Sequence, residues 1–262
     1  MTTAAAPRVI FSRPELLNDV STHYCPGCGH GIVHRLLAEV LGELELGPRT
    51  IAVAPVGCAV FAYDYLGLDW VEAPHGRAPA VATGIRRVRP DNFVLAYQGD
   101  GDLAAIGTAE IIHAAGRGEL ITVIFVNNGI YGMTGGQMAP TTLLGQRTTS
   151  TPAGREARLA GYPIPMTEML AILPGVAYAA RGSVIDPAHI GKAKGMIKRA
   201  CQAQIDGTGF AIVEVLSTCP VGWGMTAHES MEHLADVEKV YPLGVLVDRS
   251  TATLQPASGE GG

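Results

Sequence analysis

Two sets of residues in this 262-residue chain have the types and spacing that chemistry requires. The first is Gly99-Asp100-Gly101-Asp102, followed by Asn127-Asn128 with 25 residues between Gly101 and Asn127. Gly101 lets an anion approach the backbone, and a helix opening there offers N–H donors and a favourable dipole to phosphate. Asp100 and the amide oxygen of Asn128 are hard donors that, with diphosphate oxygens and water, can complete an octahedral Mg²⁺ site. Gly-Asp-Gly alone is more often a plain turn; the strand-end context of both pieces argues for a site. The second set is Cys25, Cys28, Cys58 and Cys219. Cys25-Pro-Gly-Cys28 is a C-x-x-C turn, while Cys58 and Cys219 each follow an apolar run. Four thiolates can hold tetrahedral zinc or an iron–sulfur cluster, and the spacing does not choose between them. A redox centre beside the diphosphate site makes chemical sense. The fifth cysteine, Cys201, falls inside a helical stretch and reads as a buried bystander.

Single residues around these sets carry weaker signals. His75 can donate to a phosphate, and Arg77 can pair with a phosphate or a substrate carboxylate. Met133 can act as an apolar wedge, and Thr134 and Gln137 can reach a ligand. Each has a plain alternative: a solvated imidazole, a surface salt bridge, core packing.

The elements that must position these residues are legible as hydrophobic runs. Phe93 to Tyr97 precedes Gly-Asp-Gly, and Ile121 to Val126 precedes Asn-Asn. Both are continuous apolar runs, the pattern of strands buried on both faces of a parallel sheet. Ile51 to Ala54 precedes Cys58, and Phe210 to Leu216 precedes Cys219. Helices are expected around Ile32, Leu36, Leu37, Val40 and Leu41, over Leu103 to Ala115, and over Pro187 to Ile205 with Pro at a helix start. This alternation predicts an α/β fold with a doubly wound, mainly parallel sheet, whose carboxyl edge binds ligands. Residues 129–165 are too long for an ordinary loop and are expected to cover the site. The chain divides into an arm at 1–12, one domain at 13–248, and a tail at 249–262 that reads as disordered.

Composition narrows the class. Hydrophobic residues at 47% against 16% charged exclude a disordered chain. A net charge of −5, with Arg86, Arg87 and Arg89 as the one basic cluster, argues against nucleic acid. No apolar run is long enough to span a membrane, and the first residues do not resemble a secretory signal. A cytoplasmic protein is expected, where cysteines serve metals or redox chemistry more than disulfides.

The Gly-Asp-Gly and Asn-Asn pair matches the thiamine diphosphate motif. Joined with Cys25-Pro-Gly-Cys-Gly-His30, Val56-Gly-Cys-Ala59, Ala73-Pro-His-Gly-Arg-Ala78, Tyr131-Gly-Met-Thr-Gly-Gly-Gln-Met138 and Glu214-Val-Leu-Ser-Thr-Cys-Pro220, it resembles the β subunit of a 2-oxoacid:ferredoxin oxidoreductase. The branch it resembles most acts on 2-oxoglutarate or branched-chain 2-oxoacids. The resemblance implies the pyrophosphate-binding domain of a thiamine enzyme. It implies CoA-dependent oxidative decarboxylation, with 2-oxoglutarate ahead of 2-oxoisovalerate and pyruvate, and electrons leaving for ferredoxin or another acceptor. It implies one 4Fe–4S cluster on Cys25, Cys28, Cys58 and Cys219, and Mg²⁺ on Asp100, Asn128 and the Ile130 carbonyl. Thiamine diphosphate would touch Val56, Gly57, Cys58, Ala59, His75, Gly101, Asp102, Gly132 and Met133, with His75, Arg77 and Thr134 on the catalytic side. No second domain here supplies the carboxylate that supports the aminopyrimidine, so an α or fused γα subunit is expected, as αβ or (αβ)₂. Two other readings stay open: a non-oxidative thiamine decarboxylase subunit, and a zinc-stapled nucleotide-binding module without catalysis.

Overall fold

The computed structural model describes residues 12–249. The expected arm and tail lie outside the described residues, apart from Ser12 and Arg249. The cysteine turn feeds α1 (His30–Glu43), followed by β1 (Thr50–Ala54), α2 (Ala62–Tyr65), β2 (Asp69–Glu72), α3 (Ala78–Val88) and β3 (Phe93–Gly99). A π-helical turn, Asp102–Ile106, leads to α4 (Thr108–Gly116), β4 (Thr122–Asn127) and a small hairpin of β5 (Ile130–Tyr131) and β6 (Gln137–Met138). Then come α5 (Ala157–Ala160), α6 (Met166–Ala171), β7 (Val176–Ser183), α7 (Pro187–Ile205), β8 (Phe210–Leu216), α8 (Pro220–Trp223), α9 (Ala227–Val240) and β9 (Gly244–Asp248).

Seven strands form one sheet in the order β2-β1-β3-β4-β8-β7-β9. All neighbours run parallel except β9, which lies antiparallel against β7. The continuous apolar runs have their cause here. Along β3, Leu95 and Tyr97 face the core under α1 and α7, while Val94 and Ala96 face the core under α3, α4 and α6. In β4, Ile124 and Val126 oppose Val123 and Phe125 in the same way. With both faces covered, polar alternation would bury unpaired groups, so the strand is apolar throughout. This is the doubly wound α/β architecture expected from the sequence.

Local differences have physical reasons. The helix expected over Leu103 to Ala115 is broken: Gly107 separates the π-helical turn from α4. A Cβ on Gly107 would sit 2.6 Å from the Gly76 carbonyl, so the backbones touch there. The segment 129–165 is ordered by the Arg155 guanidinium, which donates to the carbonyls of Pro140, Thr142 and Tyr162 at 2.9, 2.6 and 2.8 Å, among others.

Candidate functional site

The carboxyl ends of β1, β2, β3, β4 and β8 converge on one edge of the sheet. Between them lies a cavity of about 120 Å³. It is lined by the turn after β1 (Val56, Gly57, Cys58, Ala59), by His75, by Asp100, Gly101 and Asp102, and by Asn128, Ile130, Gly132, Met133 and Thr134.

Asp100 is its acidic centre. One carboxylate oxygen, Oδ1, accepts the Gly101 N–H at 2.8 Å. The other accepts the Gly129 N–H at 2.6 Å and the Thr141 hydroxyl at 2.7 Å. Burial pushes the Asp100 carboxyl up to about 6 against these donors. A divalent cation beside it would reverse that shift, because the ion is the largest local charge. Asn128 lies across the cavity, its Oδ1 accepting the Ile130 N–H at 3.2 Å. A carboxylate, an amide oxygen and a main-chain carbonyl are the donor set of a hard cation. These residues fit Mg²⁺.

Asp102 turns away from that centre. It accepts the Gly76 N–H at 2.8 Å and the Gln98 amide at 2.6 Å, and it lies beside Nδ1 of His75. Gly101 sits under the Tyr131 ring: a Cβ there would lie 2.2 Å from it, and the Tyr131 hydroxyl donates to the Gly101 carbonyl at 3.1 Å. Gln98, four residues from its partner Asp102, and Tyr131, which opens a quoted motif, have no role assigned from the sequence; nothing local marks Thr141, whose partner Asp100 lies 41 positions away.

Arg77 goes elsewhere. Its guanidinium pairs with Glu110 at 2.8 Å and the Ile106 carbonyl at 3.1 Å, and it does not line the cavity. Its partner on α4 holds it against the helix layer. Thr134 stands at the rim, hydrogen-bonded to Gln137 at 2.5 Å.

A second cavity, of about 200 Å³, shares a wall with the first. Cys25, Cys28, Cys58 and Cys219 all line it. Cys58, His30, Asn128, Gly132 and Met133 line both cavities. Gly132 has to be small, because a Cβ would meet the sulfurs of Cys58 and Cys219 at 3.2 Å each. Burial pushes the Cys58 thiol up to about 11 and the Cys219 thiol up to about 12. Bound iron or zinc would deprotonate both outright. Four thiols lining one cavity can hold a tetrahedral zinc ion or an iron–sulfur cluster. His30 is held by the Tyr97 hydroxyl at 2.8 Å, and burial lowers it to about 4, so it stands in the shared wall as a neutral imidazole. Cys201 is buried in α7, as expected, and lines neither cavity.

Comparison with known proteins agrees with this geometry. Residues 56–215 match the thiamine pyrophosphate enzyme, C-terminal TPP binding domain family. The chain is 49% identical, over 93% of its length, to the ketoisovalerate oxidoreductase subunit VorA of Methanothermobacter thermautotrophicus, and covers 54% of that protein. It thus spans about half the length of this relative, and 51% of the VorA of Methanothermobacter marburgensis. It is 41% identical to the 2-oxoglutarate synthase subunit KorB of Methanocaldococcus jannaschii, with 83% of this chain and 76% of that one covered. Among solved structures it superposes on the 2-oxoglutarate:ferredoxin oxidoreductase from Magnetococcus marinus with 2-oxoglutarate, coenzyme A and succinyl-CoA bound. That match has a TM-score of 0.73 and 26% identity, covering 95% of this chain and 87% of that one. The sheet, the Asp100–Asn128 edge and these likenesses place the chain in the family of 2-oxoacid oxidoreductase subunits built on the thiamine pyrophosphate-binding domain.

Proposed function

We propose that this chain forms the thiamine diphosphate- and iron–sulfur-binding part of a 2-oxoacid:ferredoxin oxidoreductase, in which a 2-oxoacid and coenzyme A yield acyl-CoA, CO₂ and two electrons. The observation that carries the reading is the wall shared by two cavities, one lined by cation and phosphate donors, the other by four thiols. Thiamine diphosphate, when bound, supplies the carbon nucleophile and the electron sink for decarboxylation. A 4Fe–4S cluster, held by Cys25, Cys28, Cys58 and Cys219, supplies a one-electron acceptor.

The chain's own residues do the positioning. Asp100, Asn128 and the Ile130 carbonyl hold Mg²⁺ against the diphosphate. Gly101 and the start of the π-helical turn present backbone to it. Asp102 lies beside Nδ1 of His75, whose imidazole is part of the cavity lining. Val56 and Ala59 give the cavity an apolar wall, and the half-exposed Met133 stands beside them. An aliphatic 2-oxoacid, of the 2-oxoisovalerate kind, is placed ahead of 2-oxoglutarate, because the two VorA relatives named for ketoisovalerate are 49% and 50% identical to this chain and the KorB relative 41%. This departs from the order expected from the sequence. The rest of the substrate site, and the carboxylate that supports the aminopyrimidine, come from an α or fused γα subunit in an αβ or (αβ)₂ assembly. Ferredoxin takes the electrons, and five free cysteines suit a reducing cytoplasm.

The test is anaerobic co-purification with the partner subunit, metal analysis, and viologen reduction with coenzyme A. Reduction fastest with 2-oxoisovalerate is expected, ahead of pyruvate and 2-oxoglutarate. Zinc without iron would overturn the redox reading. Carbon dioxide released without viologen reduction would mark a non-oxidative decarboxylase instead.

A further inference from the structure

We infer that the buried Arg181–Glu214 ion pair is a positioning device for the proposed magnesium site, fixing the Asn127–Asn128 turn and the Asp100 carboxylate in the places a cation needs. The inference rests on the reading of that turn as the magnesium site.

Arg181 on β7 and Glu214 on β8 are register partners, and both are wholly buried. Arg181 Nε donates to Glu214 at 2.7 Å, while its other nitrogens donate to Glu168 at 2.7 and 2.5 Å. Neither Arg181 nor Glu214 lines either cavity. A buried pair of this kind is poor value for stability, since apolar replacements are often neutral or better. What the pair holds is therefore the informative question.

Two arms leave it. Along the first, Oε1 of Glu214 accepts the Asn127 side-chain amide at 2.7 Å. Asn127 Oδ1 in turn accepts the Gly129 N–H at 3.1 Å, and that same N–H donates to Asp100 Oδ2 at 2.6 Å. Along the second, the Arg181 guanidinium lies 5.2 Å from the centre of the Tyr241 ring. The Tyr241 hydroxyl donates to the Thr141 carbonyl at 2.9 Å, and the Thr141 hydroxyl donates to the same Asp100 Oδ2 at 2.7 Å. Both arms end on one oxygen. Oδ2 is thereby occupied by two donors, and Oδ1, which accepts the Gly101 N–H, keeps a lone pair for a cation. The Thr167 hydroxyl, donating to Glu214 Oε2 at 2.5 Å, completes the network. A fully partnered buried network is rigid, which is what a preset metal geometry requires.

The test uses the full chain with its partner subunit, as wild type and as Glu214→Gln and Tyr241→Phe. Mg²⁺ is titrated in the presence of thiamine diphosphate, with binding read by equilibrium dialysis. Emission of Trp223 gives a second readout, because its indole N–H donates to the Asn128 carbonyl at 2.9 Å. The expected result is an apparent Kd for Mg²⁺ raised about 10-fold or more in each variant, with iron content close to wild type in both and a lowered thermal midpoint in Glu214→Gln, which leaves Arg181 short of a buried partner. Folded variants that bind Mg²⁺ as tightly as wild type overturn the inference. Should Glu214→Gln fail to fold, Tyr241→Phe decides, since it removes one hydroxyl and keeps the ring. A wild-type complex that takes up no thiamine diphosphate with Mg²⁺ overturns the site reading itself, a distinct failure.

Discussion

Cys58 belongs to both cavities, whereas Cys25 belongs to the thiol cavity alone. That difference separates two variants that a simple ligand-loss argument would equate. Cys25→Ser is expected to lose iron and leave thiamine diphosphate affinity near wild type. Cys58→Ser is expected to lose iron and also weaken thiamine diphosphate several-fold, because its side chain is wall to both ligands. Iron analysis paired with equilibrium dialysis checks this; equal cofactor affinities in the two variants would show that the wall does not couple the cavities. Residue identity made these positions legible in the sequence, since thiols, Gly-Asp-Gly and Asn-Asn carry chemistry in their own atoms. Arg77 is ambiguous in the sequence for the opposite reason. A guanidinium serves a phosphate or a carboxylate equally well, and its choice of Glu110 depends on how α3 and α4 pack.

At the scale of elements, the contact of Gly76 with the helix break at Gly107 is the sensitive joint. Gly76 has φ of +78°, and a Cβ there would lie 2.6 Å from the Gly107 nitrogen and 2.7 Å from the Ile106 carbonyl carbon. Gly76→Ala is expected to cost about 2–4 kcal/mol, from left-handed backbone strain plus overpacking. It should also weaken cofactor binding, because the Gly76 N–H donates to Asp102. Denaturant unfolding checks the first expectation; a loss under about 1 kcal/mol would mean that the π-helical turn yields easily. The helix α7 and strand β8 begin and end where the sequence places them. Asp186 caps α7 through the His189 N–H, Pro187 opens it, and β8 is apolar throughout. β7 escapes sequence reading because Arg181-Gly182-Ser183 looks like a turn. It is a strand because Glu214 and Glu168 neutralise Arg181 inside the sheet. β2 escapes because it is a short, largely exposed edge strand.

At the scale of the molecule, the sheet has one vulnerable flank. All eight residues of β7 are buried, and β9 covers its outer edge, tied on by the Arg249 N–H to the Ala177 carbonyl at 2.7 Å. Truncation after Leu243 would present an unpaired apolar edge, a template for association. Loss of soluble chain, seen as aggregate on size-exclusion chromatography, is the expected outcome. A monodisperse truncated chain with the full-length thermal midpoint would count against it. The same parallel topology sets the order in which the molecule can be made. The Cys25–Cys28 turn is stitched to the far end of the chain, with the Thr218 hydroxyl donating to the Gly27 carbonyl at 2.6 Å across 191 positions. A contact of such long sequence separation forms late. If the four thiols hold the proposed cluster, the first three wait, unligated, until β8 has joined the sheet beside β4 and delivered Cys219. Iron loading would then be a finishing step on an already folded chain, with the fold as its own checkpoint.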